Sequence, residues 1–398
     1  MNSTPADLME KLRGPVLPGG TIGIFGGGQL GRMMGIAARS MGYKVHVLDP
    51  DSACPAGYIA DKVIEATWND RWAAANLARE SSTVTLEIEQ IAISSLDEAS
   101  RWAPVRPGAE MLAIIQDRVE QKNWLRKHGF PVGDFRAVHT REQLGEAIRE
   151  LAGPVFVKSA RGGYDGRGQA KLGFGGEAVT DAAFRLAWED VGSAPCVAEL
   201  ALDLAKEISV MVARAPNGEV KVYPPAENYH ENQILSWSAI PASIPDELIA
   251  TAQKVASEIA DTFALEGLLA VEMFMTTDGR LLVNELAPRP HNSYHGSERA
   301  CVTSQFEQAI RTACDLPLGD VSLVQPTAIA NLLGDVWLDA DGKEKQPAFD
   351  KALAIPGVRL TLYEKLKPRK GRKMGHLSAV GATADEARAN VLAAKAAL

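Results

Sequence analysis

Residues 271–286 read Val-Glu-Met-Phe-Met-Thr-Thr-Asp-Gly-Arg-Leu-Leu-Val-Asn-Glu-Leu. Two apolar runs flank an Asp-Gly pair, the strongest short-range signal for a β-hairpin. With Asp278 and Gly279 as a two-residue loop, Thr277 pairs with Arg280 and Glu272 falls directly opposite Glu285. Facing residues in an antiparallel pair have Cβ atoms about 4.5–5.5 Å apart, and like charges there are destabilising. One explanation is a divalent cation between the carboxylates, since Mg²⁺ takes one or two protein carboxylates plus phosphate oxygens and water. The other is two solvated glutamates on the exposed face of an ordinary hairpin. A three- or four-residue loop would shift the pairing, so the hairpin alone does not choose.

A chain of 398 residues is too long for one simple core, and two or three domains are expected. The net charge of -8 argues against a general nucleic-acid or anionic-membrane binder. No stretch approaches the roughly 18 apolar residues of a membrane span, and residues 1–20 lack the apolar core of a signal peptide. Cys54, Cys196, Cys301 and Cys314 form no close-spaced ligand motif and read as free thiols in a reducing compartment. A cytoplasmic protein acting on small molecules is expected.

Thr21–Phe25 is a short buried-strand pattern followed at once by Gly26-Gly27-Gly28-Gln29-Leu30-Gly31. A helical stretch from Arg32 to Met41 and a second strand at Lys44–Asp49 complete a βαβ opening. The Gly-x-Gly-x-x-Gly turn and Asp49 suggest a dinucleotide site. The physics is broader, because glycines and a helix amino terminus suit any phosphate, including that of a sugar phosphate. A tight turn without a ligand remains the plain alternative. Further on, Thr83–Ile88 is a strand ending near Glu87 and Glu89, which lie where parallel strands usually end in a ligand crevice but read first as ordinary loop carboxylates.

Val155–Lys158 is a strand closing on lysine, followed by Ser159-Ala160-Arg161-Gly162-Gly163-Tyr164-Asp165-Gly166-Arg167-Gly168-Gln169. Glycines this dense exclude a helix or strand interior and suggest a mobile flap. Backbone N–H groups beside Lys and Arg suit a polyphosphate, although a glycine-rich turn is the plain reading. After the opening hairpin, Arg289-Pro290-His291-Asn292 packs cationic and hydrogen-bonding groups close to the paired carboxylates. Residues 363–376 hold a strong basic run in an otherwise acidic chain, either a solvated loop or a site for a small anion.

Together these residues resemble the ATP-grasp superfamily and, within it, the biotin-independent carboxylases of purine biosynthesis. The likeness runs from about Thr21 to Ala379 through five motifs in family order: Gly26–Arg32, Gln116–Lys122, Val157–Gln169, Asn284–His295 and Gly371–Leu377. It implies an α/β chain (α+β overall) with an ATP-grasp fold, an amino-terminal doubly wound parallel-sheet domain and a small carboxy-terminal β-rich lobe. The parts expected are an amino-terminal domain over 1–115, a small lobe with the flap over 116–203, and a large lobe with the metal site and substrate segment over 204–398.

The resemblance also implies roles. Arg118, Lys158 and the flap residues Gly163, Tyr164, Asp165, Gly166, Arg167, Gly168 and Gln169 would contact ATP phosphates. Glu199, Leu200, Ala201 and Leu202 would form the adenine hinge, with Glu207 on the ribose, His230 nearby, and Asn284 beside Glu285 at the nucleotide. Glu272 and Glu285 would hold Mg²⁺, with Asn292 a third ligand. Arg289, His291 and Asn292 would receive bicarbonate and the carboxyphosphate formed from it. Tyr164, Asp165, Lys365 and Arg372 would hold aminoimidazole ribonucleotide, with Gln29 and Leu30 near its phosphate. The hinge departs from the family pattern, because Ala201 stands where an aromatic residue is usual. The implied reaction is ATP- and bicarbonate-dependent carboxylation of the substrate amine by a homodimer. A formate-using glycinamide ribonucleotide transformylase shares the nucleotide and metal sites. An NAD-dependent oxidoreductase built on Gly26–Gly31 and Asp49 is the rival from another class.

Overall fold

The computed structural model describes residues 14–163, 168–176 and 179–398. Strand β1 (Thr21–Phe25) carries no charge and buries four of its five residues, as a strand covered on both faces must. It lies between β2 (Lys44–Asp49) and β4 (Thr83–Leu86), and β3 (Lys62–Glu65) adds the outer edge of a parallel sheet ordered β3-β2-β1-β4. The crossover helix Gln29–Ser40 starts at Gln29 rather than Arg32, and buries Leu30, Met33, Met34 and Ala38 at helical spacing.

A second sheet joins β5 (Phe135–Val138), β6 (Val155–Ser159), β7 (Gln169–Leu172) and β8 (Cys196–Leu200) in the antiparallel order β5-β8-β6-β7. The third is larger. Its strands are β9 (Leu204–Arg214), β10 (Val220–Val222), β11 (Ala226–Glu231), β12 (Ile234–Ile240), β13 (Gly267–Thr276), β14 (Leu281–Ala287), β15 (Thr327–Leu333), β16 (Val358–Leu362) and β17 (Lys373–Val380). The order is β14-β13-β9-β11-β12-β15-β17-β16, with β10 paired to β9. The carboxy-terminal strands therefore continue the same sheet that carries the Asp-Gly hairpin. All four cysteines are buried free thiols.

The hairpin keeps its expected carboxylate pair by a route the turn alone did not show. The Thr276 N–H donates to the Arg280 carbonyl at 3.0 Å, and the Gly279 N–H to the Thr276 carbonyl at 2.9 Å. The loop thus holds three residues, Thr277 to Gly279, with Gly279 at φ 84°, and Met275 faces Leu281. That one-residue slip would bring Asn284 opposite Glu272. A β-bulge absorbs it: Met273 faces Val283 while Glu272 faces Glu285, leaving Asn284 as the extra residue.

Between the hairpin-borne loop and β17 lies a buried histidine pair. The His295 and His376 rings stack with centroids 4.9 Å apart, and the Tyr363 hydroxyl lies 2.9 Å from His376 Nδ1. Burial pushes His376 down to about 3 and, with the nearby His376, His291, Lys373 and Arg289 charges, pushes His295 well below its ordinary value. Both rings are neutral when folded, whereas an unfolded chain protonates them below about pH 6.5. Their contribution is fully present above that pH and is lost as pH falls toward 3. The melting temperature is therefore expected to decline between pH 6.5 and pH 4, with a shallower slope in His376→Gln. Equal slopes in calorimetry at fixed ionic strength would refute this.

Candidate active site

Each member of the facing pair is tied to a different partner. Glu272 Oε1 lies 3.0 Å from His291 Nε2, and Glu285 Oε2 lies 2.9 Å from Arg118 Nη1. Burial alone would raise the Glu272 carboxyl. The His291 hydrogen bond and the charges of His291, His230 and Arg289 outweigh it and hold the group well below the usual carboxylate range. The Glu285 charge raises Arg118 further. Two solvated glutamates would show neither partner.

Asn292 is buried, and among the described residues neither its Oδ1 nor its Nδ2 has a hydrogen-bond partner; Asn284 Oδ1 is in the same position. Buried amides are rarely left so. Facing carboxylates and an unpartnered amide oxygen are the hard donor types that Mg²⁺ takes. No group of three or more His, Cys, Asp or Glu side chains converges among the described residues. An ion held here would take the rest of its shell from phosphate and water, as Mg²⁺ does.

Lys158, at the end of β6, places Nζ 2.8 Å from Glu199. Sequence reasoning assigned Glu199 to an adenine hinge and missed its second partner, Lys122, at 3.4 Å. Lys122 is 2% exposed and Glu199 8%. Burial raises the Glu199 carboxyl, but Lys122 and Lys158 more than offset it and bring it to about 2. Burial also pulls Lys122 down despite Glu199. Two lysines thus face one buried carboxylate. The available signal was the four-residue spacing from Arg118 to Lys122, which puts both on one face of the helix Arg118–Lys127. Leu200 ends β8, while Ala201 and Leu202 lie in the link to β9. Glu207, on β9, stands 2.8 Å from His230 Nδ1.

The amino-terminal glycine turn holds an anion, but the anion is the protein's own. Gly28 and Gly31 donate N–H groups to the two Glu87 oxygens at 2.5 and 2.7 Å, and Gly27 donates to Asp49 at 2.7 Å. Glu87 is buried and Glu89 pairs with Arg289 at 2.7 Å. Their reading as ordinary loop carboxylates is corrected, because both carboxylates that follow β4 are held by partners within the fold. A dinucleotide pyrophosphate would have to displace Glu87, so the nicotinamide reading falls. The close packing explains Gly31, where an added Cβ would sit 2.5 Å from the Gly26 carbonyl oxygen.

The basic run folds onto this turn. Lys365 Nζ reaches Gln29 Oε1 at 2.5 Å and the Lys373 carbonyl at 2.8 Å, and Arg32 pairs with Glu364 at 2.8 Å. Leu30 is buried beside Gln29 in the helix, and Arg372 is held by the Lys367 carbonyl at 2.9 Å. Of the flap, Gly163, Gly168 and Gln169 are placed, with the Ser159 N–H bonded to the Gly168 carbonyl at 2.8 Å. Tyr164, Asp165, Gly166 and Arg167 lie outside the described residues. A cavity of about 590 Å³ brings together Trp68, Glu89, Arg118, Gly163, Glu285 and Arg289.

The chain is an ATP-grasp enzyme, since an ATP-grasp domain model matches residues 123–306. A ribonucleotide synthetase preATP-grasp domain matches 20–116, and a phosphoribosylaminoimidazole carboxylase C-terminal domain matches 327–390. The N5-carboxyaminoimidazole ribonucleotide synthase of Bacillus subtilis (strain 168) is 42% identical over 371 residues, 93% of this chain and 94% of that protein. That of Brucella melitensis biotype 1 is 38% identical, over 91% and 97% of the two chains. An ADP complex of an N5-carboxyaminoimidazole ribonucleotide synthetase superposes with TM-score 0.87 at 41% identity, over 96% of this chain and 97% of that one. The Aspergillus clavatus N5-carboxyaminoimidazole synthase in complex with ADP and 5-aminoimidazole ribonucleotide superposes at 0.84 with 29% identity, over 95% and 98%. The chain belongs to the N5-carboxyaminoimidazole ribonucleotide synthase family.

Proposed function

We infer that this chain carboxylates the amine of 5-aminoimidazole ribonucleotide, using ATP and bicarbonate and releasing ADP and phosphate. The observation that carries the reading is a run of contacts: Glu272 faces Glu285 and lies against His291, while Arg289, paired with Glu89, shares a cavity with Glu285, Arg118 and Gly163. Relatives support it, since one structure holds ADP together with 5-aminoimidazole ribonucleotide.

Bicarbonate is a poor electrophile. Phosphoryl transfer from ATP would give carboxyphosphate, and the substrate amine would attack it or the CO₂ it releases. The protein's part in phosphoryl transfer is mostly positioning and charge neutralisation. Arg118, Lys158 and the flap from Gly163 to Gln169 would hold the phosphates. The link Glu199–Leu202, with Glu207, His230 and Asn284, would seat the nucleoside. Glu272, Glu285 and Asn292 would hold Mg²⁺, which when bound neutralises phosphate charge. Arg289 and His291 would receive bicarbonate, and Arg289 is already oriented by Glu89. Lys365, Arg372, Gln29, Leu30 and the flap's Tyr164 and Asp165 would hold the ribonucleotide. Flap closure would exclude water from carboxyphosphate, which hydrolyses readily. A cytoplasmic homodimer divided near residues 115 and 203 completes the proposal. No helix among the described residues is long and apolar enough to cross a membrane.

ADP release should require 5-aminoimidazole ribonucleotide and bicarbonate together, and should stop when Mg²⁺ is chelated. Release supported instead by formate and glycinamide ribonucleotide would move the chain to the transformylase reading. Sedimentation velocity tests the dimer.

A further inference from the structure

His291 enters the crevice with one nitrogen and faces away from it with the other. Nε2 lies 3.0 Å from Glu272 Oε1. Nδ1 lies 2.8 Å from Ser293 Oγ, and the Ser293 backbone N–H donates to the same nitrogen at 3.4 Å. Ser293 Oγ is 2.7 Å from Ser209 Oγ, and Asn228 Nδ2 donates to Ser209 Oγ at 3.1 Å. Ser238 Oγ donates to Asn228 Oδ1 at 2.9 Å, and also lies 2.9 Å from the Ser293 carbonyl. Ser209, Asn228, Ser238 and Ser293 are all buried.

We propose that Ser293, Ser209 and Asn228 are positioning residues that set the tautomer and ring orientation of His291, and so aim its Nε2–H at Glu272. This rests on the placement of His291 in the catalytic loop argued above.

The direction of the chain follows from counting protons. A backbone N–H can only donate, so the Ser293 amide makes Nδ1 an acceptor. With Asn228 Oδ1 accepting from Ser238, its Nδ2 donates to Ser209, whose single proton then goes to Ser293 Oγ. The Ser293 hydroxyl proton goes in turn to Nδ1. A neutral ring that accepts at Nδ1 carries its proton at Nε2, which faces Glu272. The sheet supplies the geometry. Ser209 on β9 lies opposite Glu272 on β13, and Asn228 on β11 lies opposite Ser238 on β12. One set of strands therefore places both the carboxylate and the support of the imidazole that donates to it. Partners in this supporting position hold ring orientation and tautomer, and losing them typically costs about 10–100-fold in activity or affinity.

The test has two readouts. ¹⁵N NMR of histidine-labelled wild-type protein, with His291 assigned by difference from His291→Gln, should show Nδ1 without a proton and Nε2 with one. Ser209→Ala should shift that signal toward a tautomer mixture. The same variant should lower kcat by about 10–100-fold with KM for ATP within about two-fold, and Ser209→Thr, which keeps the hydroxyl, should regain part of the loss. The NMR arm needs no turnover, so a failure of the carboxylase reading leaves it standing. A wild-type ring protonated at Nδ1 would overturn the proposal. So would a Ser209→Ala protein with an unchanged His291 spectrum or unchanged kcat.

Discussion

Glu285→Gln is expected to abolish turnover while leaving the fold intact. The substitution keeps the shape of the side chain and removes the charge that both Arg118 and a bridging cation require. Glu285 is partly exposed on the edge strand β14, and its ion pair with Arg118 spans 2.9 Å. Glu199 and Glu272 also act on Arg118, so the guanidinium is not stranded and stability should change by no more than about 1 kcal/mol. Catalysis is different, because charge developing on transferred phosphate is stabilised only by groups held in place beforehand. Loss of one such group costs on the order of 10²–10³-fold, and here an ion site is lost as well. ADP release and a thermal melt on one preparation check both halves. Near-normal turnover would remove the metal-clamp argument.

Glu199→Gln should do the opposite and damage stability first. Lys122 and Lys158 converge on this one buried carboxylate, and removing one partner of a buried pair typically costs about 3–5 kcal/mol. The pH behaviour points the same way. The carboxyl is held at about 2 against an ordinary 4.5, a difference worth on the order of 3 kcal/mol. That stability is present above about pH 4.5 and is lost as pH falls toward 2. Urea unfolding of Glu199→Gln should show the loss, and adding Lys122→Met should restore part of it, since the buried Lys122 would otherwise be left without its carboxylate. A single variant within about 1 kcal/mol of wild type would mean the cluster is well solvated.

Much of the architecture was legible because its signals are local. The strand Thr21–Phe25, its glycine turn and the strand Lys44–Asp49 need only a hydrophobic run and a residue able to adopt positive φ, as Gly26 does at 94°. The Asp-Gly pair marked a hairpin for the same reason. The helix Arg118–Lys127 likewise starts on a local signal, the Asp117 carboxylate that caps it.

The long-range contacts were not legible, for one reason. Nothing near Gly28 and Gly31 announced that Glu87 would arrive from 56 residues away in sequence to accept from Gly31. Nothing near Glu199 announced that Lys122 would reach it. The hairpin register came out right through a three-residue loop and a compensating bulge at Asn284, neither of which a turn dipeptide specifies.

The chain's own order of residues determined the elements, the turns and which charged groups were worth watching. Those choices depend on backbone preference and on periodicity within a few neighbours. Which buried polar groups meet was decided only by the tertiary structure. Sheet order brings β9 against both β13 and β11, and so sets Ser209 beside Glu272 and Asn228 behind His291. A buried charge or amide must find its partner across the fold, and no local pattern encodes that distance.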